Sequence, residues 1–412
     1  MEFSEILFIS IKFCGNSILK GQYFLWYNVI EVTDSIENGE NMKKFGLPLL
    51  IILFLIVGLT PILISGCTPE DTSGGNVIAI SAAWTNSGHA DYESESFVHW
   101  DEEEVPEVPI NCAKCHSAHG YIDFLGEDGS AAGSVDEAAP LGTVVTCNVC
   151  HNPTAHAKDS AIYPSGVELS DLGQNATCIE CHQGRTAGTT VENAVADLGD
   201  DQISSDLRFI NVHYKIGGAT RYGSLVNVGY EYPGKEYYGF YEHVEDYQNC
   251  TECHNPHSLE IRISDCAACH SNVTDSIAQL RDIRNNGTPD YDGDGNTTEG
   301  IYDELMGVHA LFYEAILFYS QDVSDAPILY ADAFPYWFND NNGNGQEDDG
   351  EVNFGNQYAS WTPRILKAAY NYHLVGHDPG GYTHNSSYLI QLMYDGIEDL
   401  GGDVSSLARP EN

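Results

Sequence analysis

Cys250-Thr251-Glu252-Cys253-His254, followed after eleven residues by Cys266-Ala267-Ala268-Cys269-His270, decides how the rest of this chain is read. Two cysteines separated by two residues, with histidine next, form the c-type haem attachment pattern. The thiols form thioethers to the porphyrin vinyl groups, and the adjacent histidine falls beneath the iron as its proximal ligand. Three more copies lie upstream: Cys112, Cys115 and His116; Cys147, Cys150 and His151; Cys178, Cys181 and His182. One copy alone leaves room for chance, or for a zinc or redox pair. Five copies that use ten of the twelve cysteines point to covalent haem.

The other two cysteines lie outside this region. Cys67 ends Ile62-Leu63-Ile64-Ser65-Gly66-Cys67, after an apolar run from Phe45 and a basic start, Met42-Lys43-Lys44. These are the parts of a secretory signal. Small residues directly before a cysteine resemble the lipobox of bacterial lipoproteins, which implies lipidation at Cys67. The alternative is an uncleaved anchor, since the run is nearly long enough to span a bilayer. Residues 1–41, with Cys14, read as an upstream segment that does not belong to the protein, and 42–66 as the signal peptide. Residues 67–80 read as a tether that opens on Thr68-Pro69-Glu70-Asp71-Thr72-Ser73-Gly74-Gly75. The expectation is an exported, membrane-anchored lipoprotein, periplasmic or on the cell surface.

Acidic residues outnumber basic ones 61 to 17. Such a surface repels nucleic acid and favours basic partners or cations, and it also keeps an exported protein soluble. Abundant Gly, Asn, Asp and Tyr suit loops wrapped around porphyrins, whose apolar faces substitute for a larger core. The fold class expected is mainly α with extensive loops: a haem-wrapped multihaem cytochrome c region over 81–270, then a helical C-terminal section over 271–412. In that section Ile277, Leu280 and Ile283 recur at helical spacing, as do Ile301, Leu305, Val308, Phe312 and Ile316. Helices are also predicted over 362–372, with Pro363 in the first turn, and over 387–400, stopped by Gly401-Gly402. The aromatic run from Tyr230 to Tyr238 reads as a haem-covering hairpin. The short gap after His254 makes the last two haems neighbours.

Sixteen histidines are present and five are proximal, so eleven remain for the distal positions. Two axial histidines give a closed, low-spin iron suited to electron transfer, whereas an open sixth position suits substrate chemistry.

The chain resembles the exported multihaem cytochromes of anaerobic, often metal-reducing or syntrophic, bacteria and archaea. The resemblance rests on Ser87-Gly88-His89-Ala90 with His99-Trp100, Asn211-Val212-His213-Tyr214, and Cys253-His254-Asn255-Pro256-His257. It continues through Trp361-Thr362-Pro363-Arg364 and Gly381-Tyr382-Thr383-His384-Asn385. It implies His384 as a distal ligand, with His89, His99, His213 and His243 as the other four. His257 is the competitor, because a second histidine just after the motif often reaches a neighbouring haem. His119, His156, His309, His373 and His377 are expected at the surface or behind the ligands.

Two loops look built for calcium. Asp340, Asn342, Asn344, Gly345, Asp348 and Glu351 fit positions 1, 3, 5, 6, 9 and 12 of an EF-hand loop. Asp290, Asp292, Asp294 and Gly295 begin a second, but Ile301 stands at its twelfth position, so Glu299 or Glu304 must complete it.

The leading functional expectation is a lipid-anchored pentahaem cytochrome that relays electrons to or from other redox proteins or extracellular acceptors. One alternative is a pentahaem reductase of the nitrite reductase kind, although those enzymes typically mark the catalytic haem with Cys-x-x-Cys-Lys. Another is a subunit of an extracellular cytochrome filament, a homopolymer of this chain.

Overall fold

A Cys-x-x-Cys-His motif fits one helical turn, because residues three and four apart share a helix face. In the computed structural model, which describes residues 72–411 except Asn286, all five motifs adopt such a turn. The first ends helix α1 (Ile110–His116) and the third ends α2 (Asn175–His182). The second and fourth are single turns, Cys147–Cys150 and α3 (Cys250–Cys253). The fifth follows the short helix Ile263–Cys266, and its His270 N–H donates to the Cys266 carbonyl at 2.9 Å. Both thiols therefore face one way, with the histidine just beyond them.

Little regular structure joins the motifs. The described strands form three two-stranded antiparallel ladders: β1 (Glu107–Val108) with β2 (Ala139–Pro140), β3 (Ala161–Ile162) with β4 (Glu168–Leu169), and β5 (Ile328–Tyr330) with β6 (Trp337–Asn339). The molecule is mainly helical with long loops, as expected. The helix Thr72–Thr85 begins inside the stretch expected to be a tether. The upstream segment, signal peptide and Cys67 lie outside the described residues.

Three longer helices follow the motifs: α4 (Ile301–Asp322), α5 (Pro363–Gly376) and α6 (Ser386–Asp399). On α4 the buried residues include Leu305, Val308, Phe312, Ile316 and Tyr319, the stripe that the periodicity marked. Thr362 caps α5, its hydroxyl accepting from Ile365 N at 3.2 Å, and Pro363 fills the first turn, where no N–H is needed. Helix α6 stops where Gly401 takes a φ of 84°, a conformation costly for any residue with a Cβ. The predicted helix at 277–283 is shorter, Ile277–Arg281. Residues 77–412 form a single compact unit whose largest apolar cluster runs from Ala161 to Leu400.

The segment Tyr230–Tyr238 is not a hairpin. Tyr230, Tyr232 and Tyr237 are buried against the C-terminal helices. Its backbone N–H groups find side chains instead of a second strand: Tyr230 N donates to Asn371 Oδ1 at 2.8 Å and Tyr238 N to Gln391 Oε1 at 2.7 Å. Buried amides need partners, and here α5 and α6 supply them.

Candidate haem centres

All ten motif cysteines are free of disulfides. Each motif histidine has a second imidazole across from it. Ring centroids are 5.7 Å apart for His116 and His213, 6.0 Å for His151 and His257, and 6.3 Å for His182 and His89. They are 6.4 Å apart for His254 and His384, and 6.3 Å for His270 and His243. Two metal–imidazole bonds of roughly 2 Å, with the half-rings added, separate centroids by about 6 Å. The five spacings therefore fit one metal ion between each pair of rings.

The outer ring nitrogens are also oriented for this task. His116 Nδ1 bonds to the Ser96 carbonyl at 2.8 Å, and His182 Nδ1 to the Lys215 carbonyl at 2.9 Å. An Nδ1–H held by a carbonyl leaves Nε2 unprotonated for metal. His384 goes further, because its Nδ1 lies 2.8 Å from both oxygens of buried Asp378. Burial alone would lower the His384 pKa, but the Asp378 charge and hydrogen bond raise it overall. Opposite it, burial and then the charge of His384 lower His254. Burial, then the facing imidazole, pushes both His89 and His213 down to about 4, so both rings stay neutral at pH 7.

Close packing fixes the His384 ring. A Cβ on Gly217 would stand 2.5 Å from its Cε1, and one on Gly380 would stand 2.6 Å away. Only glycine leaves the imidazole its place from either side.

Among the expected distal histidines, His89, His213, His243 and His384 face a motif histidine. His99 does not. It is exposed, bonds to Glu95 at 2.6 Å and meets the edge of Trp100. The ring opposite His151 belongs to His257, stacked at an interplanar angle of 5°. Asn255 brings it there, its Oδ1 accepting from His257 N at 3.0 Å and closing a turn after the fourth motif. His119 and His156 are exposed. His309, His373 and His377 are buried rather than superficial. His309 stacks on Tyr372 at 4.0 Å, and the His373 and His377 rings are 3.7 Å apart. Their signal was available, since all three sit on the apolar faces of α4 and α5 or just past α5.

The two acidic loops share one geometry. The first carboxylate of each loop accepts the backbone N–H groups three and five residues on. Asp290 takes Gly293 at 2.7 Å and Gly295 at 2.9 Å; Asp340 takes Gly343 and Gly345, both at 2.7 Å. Ligand oxygens of Asp290, Asp292 and Asp294 lie within 4.8 Å of one another, as do those of Asp292, Glu299 and Glu304. Both glutamates thus stand where Ile301 leaves the loop unfinished. Burial and then the carboxylates of Asp294, Glu304 and Asp290 push Asp292 up to about 6, against a backbone hydrogen bond that lowers it. In the second loop Asn342 and Asn344 each donate to Asp348 at 2.7 Å, and Glu351 is buried. Crowded carboxylates of this kind are a donor set for a hard cation.

Five covalent-haem signatures, each with its histidine facing another imidazole, are the marks of a multihaem c-type cytochrome. The chain is similar to the C-type polyheme cytochrome OmcB of Geobacter sulfurreducens, 27% identical over an alignment 348 residues long that covers 70% of this chain and 43% of that protein. It is likewise similar to the C-type polyheme cytochrome OmcC of the same species, 25% identical over 376 residues, 76% of this chain and 45% of that one. The chain therefore spans less than half the length of these relatives. No protein-family model matches it, and neither does any solved structure.

Proposed function

We propose that the protein carries five haems c, each closed by two histidines, and relays electrons between extracytoplasmic redox partners. The carrying observation is the five facing imidazole pairs, one for every Cys-x-x-Cys-His motif. In this reading the proximal ligands are His116, His151, His182, His254 and His270, and the distal ligands are His213, His257, His89, His384 and His243 in the same order. His257 replaces His99 in the expected set. With both axial positions filled, an iron exchanges electrons without binding substrate, so this arrangement weighs against a reductase.

Haem bound here supplies the redox couple. The chain's own residues do the rest: ten thiols fix the rings, carbonyls and Asp378 hold the imidazoles in the ligating tautomer, and buried tyrosines line the surroundings. Calcium in the loops at 290–304 and 340–351 would brace the ends of α4 and the β5–β6 ladder. Lipidation at Cys67 would hold the exported protein on a membrane, where it meets other cytochromes or an external acceptor. Among the described residues, no helix is long and apolar enough to cross a membrane.

Intact-mass and haemochrome measurements on protein matured with haem should give five haems per chain. Its electron paramagnetic resonance spectrum should contain low-spin ferric signals alone. A stoichiometric high-spin signal with nitrite turnover would refute the relay.

A further inference from the structure

The five motifs do not meet in sequence order. The first and third are apposed, with Cys115 beside Cys181. The turns bearing them exchange bonds reciprocally, Cys115 Sγ to the Glu180 carbonyl at 3.6 Å and Cys181 Sγ to the Lys114 carbonyl at 4.0 Å. The third motif's other cysteine, Cys178, lies beside Cys250 of the fourth motif. Here too the turns are tied together. Asn175 donates to Asn249 Oδ1 at 3.1 Å and accepts from Cys250 N at 2.9 Å.

Thioethers formed at these sulfurs would bring the third haem beside the first through Cys181 and beside the fourth through Cys178. Within the third motif, Glu180 turns toward the first, and its side chain is only 3% exposed. Lys114 of the first motif holds it at 2.9 Å, and Lys158, seven residues past the second motif, holds it at 2.9 Å from the other oxygen. Thr177, just before the third motif, adds a bond to the Ala155 carbonyl at 3.1 Å, so the segment after the second motif also ends at α2.

We propose that the third haem is the junction of the array, joined to the first beside Cys115 and Cys181 and to the fourth beside Cys178 and Cys250, and that Glu180 sets the potentials of the first and third haems. The proposal rests on the pentahaem reading above. A charge buried between two porphyrin edges acts through a low dielectric, so it acts strongly on both irons. A negative charge there stabilises the ferric state, which carries one more positive charge than the ferrous state. Lys114 and Lys158 oppose it. The join is therefore a balance of charges that single substitutions tip in either direction.

The test is a redox titration of the haem-loaded chain, with individual steps tagged by axial substitution. His213→Met marks the first haem, His89→Met the third and His243→Met the fifth, because methionine ligation raises a haem's potential. Glu180→Gln should move the first and third steps to more positive potential and leave the fifth in place. Lys158→Met should move the same two steps the opposite way. Loosened packing would not reverse sign between the two variants. Five haems with neither step shifted, or with the fifth moving as far as the others, would overturn the proposal alone. A wild-type chain with fewer than five haems would overturn the pentahaem reading and this proposal with it.

Discussion

Asp378→Asn isolates one charge at one haem. The carboxylate lies 2.8 Å from His384 Nδ1. Crossing the ring and one metal–nitrogen bond adds roughly 4 Å, which places the charge about 7 Å from an iron ligated by Nε2. At an effective dielectric of about 20, that separation is worth about 2.4 kcal/mol, or about 100 mV for a one-electron couple. The ferric state gains this energy, so removing the charge should raise the potential of the fourth haem by that amount. Asparagine keeps the shape and retains an oxygen for Nδ1–H and for the Gly380 N–H, which Asp378 now accepts at 3.1 Å. The fold and haem count should therefore survive. Spectroelectrochemistry should show one of five steps displaced upward by about 100 mV, with the other four nearly fixed. If a folded, fully loaded variant shows no step moved by more than a fifth of that, Asp378 does not act on an axial histidine.

His257→Ala should open one iron and create a high-spin signal equal to one haem in five, whereas His99→Ala should leave every haem low-spin; the reverse pattern would restore His99 as the ligand. Calcium removal by a chelator should lower the melting temperature by roughly 5 °C, the scale of a site held near saturation, without changing the haem count. Glu351→Gln should reproduce most of that loss, and calorimetry in calcium and in chelator checks both. Burial pushes Glu231 up to about 7, despite hydrogen bonds from Tyr388 and Asn227 that lower it. A raised carboxyl favours the folded state below its unfolded pKa and loses that contribution as pH rises through about 7. Glu231→Gln should therefore flatten the fall in stability between pH 4.5 and 7, by about 2 kcal/mol once partial exposure is allowed for. Denaturant melts across that range will show it.

The haem attachment sites and the three long helices were legible in the sequence because each is a local pattern. Cys-x-x-Cys-His needs one turn, and the α4 stripe needs only its own periodicity. The distal ligands were legible only in part, since no local rule pairs His116 with His213 across 97 residues. His99 was expected from the family resemblance alone, which says nothing of where its ring points. Glu95, one helical turn earlier, instead draws the ring to the surface, in a stretch that continues Asp101-Glu102-Glu103-Glu104. His257 was visible as a competitor, and only the turn closed by Asn255 decides that it faces His151. Tyr230–Tyr238 failed differently. Its composition suits a strand, but the amides are claimed by Asn371 and Gln391, whose arrival depends on helices more than a hundred residues away.

That separation has a consequence for how the molecule comes together. Four of the five facing imidazoles lie far from their motif in sequence, and His384 sits between Gly217 and Gly380, where any side chain would collide with it. His384 therefore takes its place opposite His254 only when the segment around Gly217 and the start of α6 have docked together. Asn385 completes that docking, its side chain donating to the Gly239 carbonyl at 2.8 Å while its oxygen caps Tyr388 N at 3.2 Å. One asparagine thus couples the loop behind the fourth haem to the first turn of α6. On the proposed ligation, a fault in the packing here should appear in both the haem spectrum and the melting curve. Asn385→Ala makes the coupling measurable. It should lower stability and loosen the fourth haem's low-spin signal together, and a loss confined to stability would show that the two are separable.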